Sequence, residues 1–332
     1  MLTPFTDEQA RALVNLDQHY RAWMAAEQAL AALPYDMKRK EISGRAYLYE
    51  TVDRDGNGRS LGPWSDEQAE RLTRFKQAKA DARARQEGAR AALLETANIC
   101  GALRTPMIAN EAGPLLREAD RRGMLGGQLI VVGTNAVAAY NLEANGFIRE
   151  APDETQDFDL AWAASEEPAR EDVLWQMLKA VDPTYTVNME RGFQARNARA
   201  YEVEVLVAPS RIGTMYPRDR PRPVPLQEQE WLLRGRPVDH VVICRDRTPA
   251  RIVAPDPRWF ALQKLWMSAQ AKRNPQKRGK DAKQGIALLN AVWTAMPQYP
   301  LDDAFRAELP EELLPPYEAW KAKRPPRPAP TW

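Results

Sequence analysis

Cysteine and histidine are scarce in this chain: Cys100, Cys244, His19 and His240 are all there are in 332 residues. Two cysteines so far apart exclude a disulfide framework. Neither they nor the histidines fall at zinc-ligand spacing, so two reduced thiols are expected. Long apolar runs are absent as well. None approaches the ~20 residues needed to cross a bilayer, and the opening MLTPFTDEQA lacks the basic-then-apolar order of a signal peptide. A cytoplasmic protein with no membrane partner is expected. An excess of one charge is also missing, with 47 Lys and Arg against 45 Asp and Glu. That balance excludes neither nucleic acid nor small molecules as substrates, so the placement of charge has to decide.

What is present is enough for a sizeable core: 44% of the residues are hydrophobic. The length suggests two or three domains. Thr6 and Gln9 form a capping box ahead of Leu13, Leu16, Tyr20, Trp23 and Leu30 at helical spacing, a run that Pro34 ends. An extended stretch from Arg45 to Val52 leads through a glycine-rich turn, Asp53–Gly58, to Arg59–Pro63. The turn imitates a calcium loop, but Trp64 stands at the twelfth position, where a bidentate Glu is required. A second capping box, Ser65 with Gln68, opens a long Ala- and charge-rich helix running to about Gly101.

The middle changes character. Gln128–Val132 reads as a buried strand ending at Gly133, and Thr134–Glu143 as a helix stopped by Asn145-Gly146. Asp157–Trp162 and Tyr201–Val207 read as further strands. Strands and helices in this order indicate an α/β or α+β core. Beyond Pro257 the chain returns to helix. A basic stretch, Lys272–Lys280, read as a solvated loop or a phosphate-holding segment, precedes a helix over Ile286–Trp293.

Chemistry gathers in that middle. Residues i and i+2 of a strand share a face, so Asp157 and Asp159 point together while Phe158 points away. Two carboxylates so close repel unless a cation lies between them. Upstream, Gly133 allows close backbone approach and opens a helix whose free N–H groups suit an anion, with Thr134 and Asn135 adding donors. Glu202 and Glu204, alternating in an apolar strand, are both candidates for a third carboxylate.

Gly133-Thr134, then Asp157-Phe158-Asp159, then Glu204 between two valines, resembles the signature of the polymerase-beta-like nucleotidyltransferase superfamily. Tyr47-Leu-Tyr49, Ser60–Pro63, Val132–Ala136, Arg196–Ala198, and Pro255–Arg258 followed by Phe260–Trp266 extend the likeness to a bacterial nucleotidyltransferase-fold family over roughly residues 40–295. A more distant similarity is to nucleotidyltransferase toxins of toxin–antitoxin systems, which share a lysine-bearing helix followed by a basic-then-Asp stretch, here Lys264 and Lys277–Asp281.

The resemblance implies an α+β fold: a small mixed-sheet core over residues 111–255, between a mainly helical region, 1–110, with a hairpin near 45–63, and a helical region, 256–320. A disordered, proline-rich tail, 321–332, follows. It implies transfer of a nucleoside monophosphate from an NTP to an RNA end, a protein hydroxyl or a small molecule. Asp157, Asp159 and Glu204 would bind Mg2+ or Mn2+, and Glu204 would help to deprotonate the acceptor. Gly133, Thr134, Asn135 and Lys264 would hold the triphosphate. Lys277, Arg278 and Lys280 are candidates for phosphate or acceptor contacts, Arg196 and Asn197 for nucleotide contacts or a structural turn. An antitoxin or defence partner is a further expectation. Three departures stand out. Thr follows the loop glycine, the third acid is Glu, and the spacer from Gly133 to Asp157 is long, with an inserted hairpin expected around Gly146–Glu154 to absorb the excess.

Overall fold

Local rules set the ends of the helices. Thr6 and Gln9 exchange both hydrogen bonds of a capping box (2.9 and 3.2 Å). Asp256 and Asn274 each cap a helix whose first residue is proline, accepting from the N–H of Arg258 and Gln276 at 2.9 Å. The computed structural model of the chain describes residues 2–53, 55–149, 151, 157–165 and 170–327. In chain order its elements are β1 (Leu2–Pro4), α1 (Asp7–Ala31), β2 (Asp36–Ile42), β3 (Arg45–Thr51), β4 (Gly58–Pro63), α2 (Asp66–Ala102), β5 (Met107–Ile108), α3 (Ala112–Arg121) and β6 (Leu129–Val131). Next come α4 (Val137–Glu143), β7 (Gly146–Ile148), β8 (Asp157–Trp162), α5 (Val173–Val181), β9 (Thr186–Val187), β10 (Gln194–Arg196) and β11 (Glu202–Val207). The last are β12 (Val238–Cys244), β13 (Pro249–Ala254), α6 (Pro257–Ala269), α7 (Pro275–Ala295), α8 (Asp303–Ala307) and α9 (Leu314–Lys321). The fold is α+β.

The chain divides into two units, residues 15–96 and residues 1–14 with 97–332. The smaller carries the antiparallel sheet β2-β3-β4, whose inner face places Met37 and Leu48 against Phe75 of α2. The larger holds a five-stranded mixed sheet in the order β6-β8-β11-β10-β9 and a three-stranded sheet, β13-β12-β5. Its core is aromatic. Trp162, Trp259, Tyr140, Phe158 and Phe260 are all buried; Trp162 donates to Thr214 (2.9 Å) and Tyr140 to the Pro255 carbonyl (3.1 Å), while the Trp259 Nε1–H finds no partner among the described residues.

Three local expectations change. Residues 146–148, the start of the expected insertion, form a strand whose partner comes from the other end of the unit. They pair antiparallel with β1, Leu2 opposite Ile148, because the first strand of the chain supplies the missing backbone partners. Residues 150 and 152–156, the rest of the expected insertion, lie outside the described residues. The basic stretch is a loop only as far as Asn274: α7 starts at Pro275, so Lys277, Arg278 and Lys280 ride on its first turns. After α9 the proline-rich segment packs. Trp293 donates to the Pro325 carbonyl (3.0 Å), and the guanidiniums of Arg324 and Arg327 lie 4.0 and 3.8 Å from the centre of its ring. Residues 328–332 lie outside the described residues.

Candidate active site

The site is set by the register of three strands. β8 lies between β6, antiparallel to it, and β11, parallel to it. In that register Glu202 stands opposite Asp157 and Glu204 opposite Asp159. Alternation sends Phe158, Val203 and Val205 into the core and the acids to the other face. One carboxylate oxygen each from Asp157, Asp159 and Glu204 lies within 4.8 Å of the others, the one such acid, histidine or cysteine group among the described residues. That donor set, hard oxygens crowded at one point, fits a divalent cation of the magnesium kind.

The loop after β6 closes on the same point. The Val132 N–H continues the ladder to the Asp159 carbonyl (3.0 Å), and the Asn135 amide donates to the Asp157 carbonyl (3.0 Å). Between them Gly133 has φ +66°, and a Cβ there would stand 1.8 Å from Asp159 Oδ2. Both the backbone conformation and the approach of the carboxylate therefore require glycine. Thr134 and Asn135 are buried beside it, in a 3-10 turn over Gly133–Ala136 that leads into α4.

Charge repulsion is visible at the acids. Desolvation, then Asp157, then Glu204 push the Asp159 carboxyl up to about 7, against the pull of Lys264 and Lys277. Glu204 is raised as well, chiefly by desolvation and then by Asp157, with Lys277, Arg191 and Gln194 opposing. At Asp159 the pull of these lysines does not offset the push of burial and the neighbouring acids.

The expected cations take different places. Lys277 is exposed, its Nζ 3.8 Å from Asp157. Lys264 is buried and donates to Asp281 (3.0 Å), which also accepts from Arg273 (2.8 Å). Arg278 donates to the Ser268 carbonyl (3.1 Å). Lys280 is lowered by desolvation and then by Lys264. Arg196 is ion-paired with Glu202. Asn197 ties a turn, donating to Asp182 (3.2 Å) and accepting the N–H groups of Arg199 and Tyr201 (3.0 Å each).

Two contributors escape a reading of the sequence. Gln194 donates to both Glu202 and Glu204 (2.7 and 2.9 Å), and Gln284 approaches Thr134 Oγ1 at 3.5 Å. The alternation Gln194-Ala195-Arg196 hinted that Gln194 shares a face with Arg196. Only the antiparallel register, Gln194 opposite Glu204, shows which acids that face meets.

The model of a nucleotidyltransferase family matches residues 110–310. That is more than half of the chain, and it includes all three acids and the glycine loop. The chain belongs to this nucleotidyltransferase family. It is an enzyme of that class. No curated protein and no solved structure matches the chain. No helix among the described residues is long and apolar enough to cross a membrane.

Proposed function

We propose that this enzyme is of the polymerase-beta-like kind and moves a nucleoside monophosphate from an NTP to an acceptor hydroxyl, using Mg2+ or Mn2+ held by Asp157, Asp159 and Glu204. The supporting observation is the meeting of these three acids on adjacent parallel strands against the Gly133 loop. When bound, the divalent cation supplies charge neutralisation at the phosphates and acidifies the attacking hydroxyl. The chain does the rest. The backbone at Gly133–Asn135 holds the triphosphate, and Lys277, exposed beside Asp157, adds a point charge. Glu204 takes the acceptor's proton as the acceptor oxygen bonds to the α-phosphorus. The bond from that phosphorus to the bridging oxygen breaks, and pyrophosphate leaves.

An RNA end, a protein hydroxyl and a small molecule are the acceptor classes to test. The test is transfer of label from each of the four α-labelled NTPs in the presence of Mg2+, with total RNA and bacterial lysate as acceptors. Asp157→Ala and Asp159→Ala should each reduce transfer to background. Binding of NTP without transfer under every condition would overturn the proposal. The toxin-like role, with an antitoxin or defence partner, belongs to the same proposal. Induced expression that leaves growth and RNA ends unchanged removes it.

A further inference from the structure

Two glutamates, Glu202 and Glu204, leave β11 on the same face, yet only Glu204 joins the acid cluster. The difference lies in what each is bonded to. Glu202 Oε1 accepts from the Arg196 guanidinium and Oε2 from Gln194 Nε2 at 2.7 Å, so both its oxygens and its charge are satisfied by the protein. Glu204 Oε1 accepts from the same Gln194 nitrogen at 2.9 Å.

Gln194 is 1% exposed, and its amide has a single sensible orientation. The two N–H bonds of Nε2 go to two carboxylates, and Oε1 accepts from Asn188 Nδ2 at 2.6 Å. The flipped amide would aim its oxygen at both acids. Asn188 is itself held, its Oδ1 accepting the Glu190 N–H (3.1 Å) and its backbone N–H bonded to the Gln194 carbonyl (2.8 Å). The chain of donors therefore runs from the β9–β10 hairpin through Gln194 to the third acid.

We infer that Gln194 is a positioning residue: it clamps Glu204 through one oxygen, leaving the other for a divalent cation, while Arg196 retires Glu202 from the site. This rests on the metal-dependent reading above. Hydrogen-bond partners behind metal-binding carboxylates set ligand orientation, and losing one typically costs about 10- to 100-fold in metal affinity.

The measurement is Mn2+ binding to the full chain without NTP, followed by the loss of the free-ion electron paramagnetic resonance signal. Asp159→Asn should abolish binding, which ties the signal to the acid cluster. Gln194→Met keeps the volume and removes the donors, and it should weaken Mn2+ about 10- to 100-fold at an unchanged melting temperature. Asn188→Ala leaves the donors but frees the amide, and it should weaken binding by a smaller factor. It also serves if Gln194→Met does not fold. Folded variants that bind Mn2+ within twofold of wild type overturn this inference and leave the metal site standing. A wild-type chain that binds no Mn2+ overturns the metal reading and this inference with it.

Discussion

Asp281 and Asp159 are both desolvated aspartates of the larger unit, and their surroundings treat them in opposite ways. Asp281, 2% exposed, is matched by Lys264 at 3.0 Å and Arg273 at 2.8 Å. Asp159 faces Asp157 and Glu204 instead, and its carboxyl is pushed up to about 7. One cluster is finished by the folded chain. In the other, like charges still raise the Asp159 carboxyl, at the point where a glycine, rather than a side chain, faces it. A buried charge that is paired belongs to structure, and a crowd of like charges is tolerated where function needs it.

The largest expected effect comes from breaking the finished cluster. Lys264→Met leaves Asp281 with a single partner and should destabilise the protein by about 3–5 kcal/mol in urea unfolding. A loss below about 1 kcal/mol would mean that Lys264 is not a structural cation, and its role at the phosphates would then come to the fore.

The unfinished cluster should show itself through pH. An unfolded Asp ionises near 3.8, Asp159 in the native state near 7. Between those values the native state keeps a proton that the unfolded state has lost. The stabilisation is fully present below about pH 4 and lost as pH rises through 7. The metal-free protein should lose on the order of 4 kcal/mol across that window, and saturating Mg2+ should restore stability at the upper end. Urea midpoints at pH 5 and pH 8, with and without a chelator, test this. Asp159→Asn should flatten the dependence, and an equal slope in that variant would remove the contrast with Asp281.

The smallest effect should come from Lys277. It is exposed and 3.8 Å from Asp157, so Lys277→Ala should change stability by less than about 0.5 kcal/mol. Its effect should fall on NTP, as a several-fold rise in KM with kcat little changed. A large stability change would place Lys277 with the structural ions instead.

The sequence already carried much of the site, because its signals are local. Alternation over Asp157–Trp162 put two acids on one face. Glycine at 133 marked a close approach, and Asx-Pro pairs at 256–257 and 274–275 coincide with helix starts. Such features depend on torsion angles and on periods of a few residues, and the order of residues alone displays them.

The tertiary structure decided what depends on pairing between distant segments. The register of β8 with β11 set Glu204 opposite Asp159, where it joins the acid cluster. Strand β1 captured residues 146–148, and Lys264 found its counter-ion seventeen residues away on the next helix. Two glutamates one position apart on each side of Val203 look alike in sequence. What separates them is a long-range partner, Arg196, which is bonded to Glu202, and that pairing exists only once the sheet has formed.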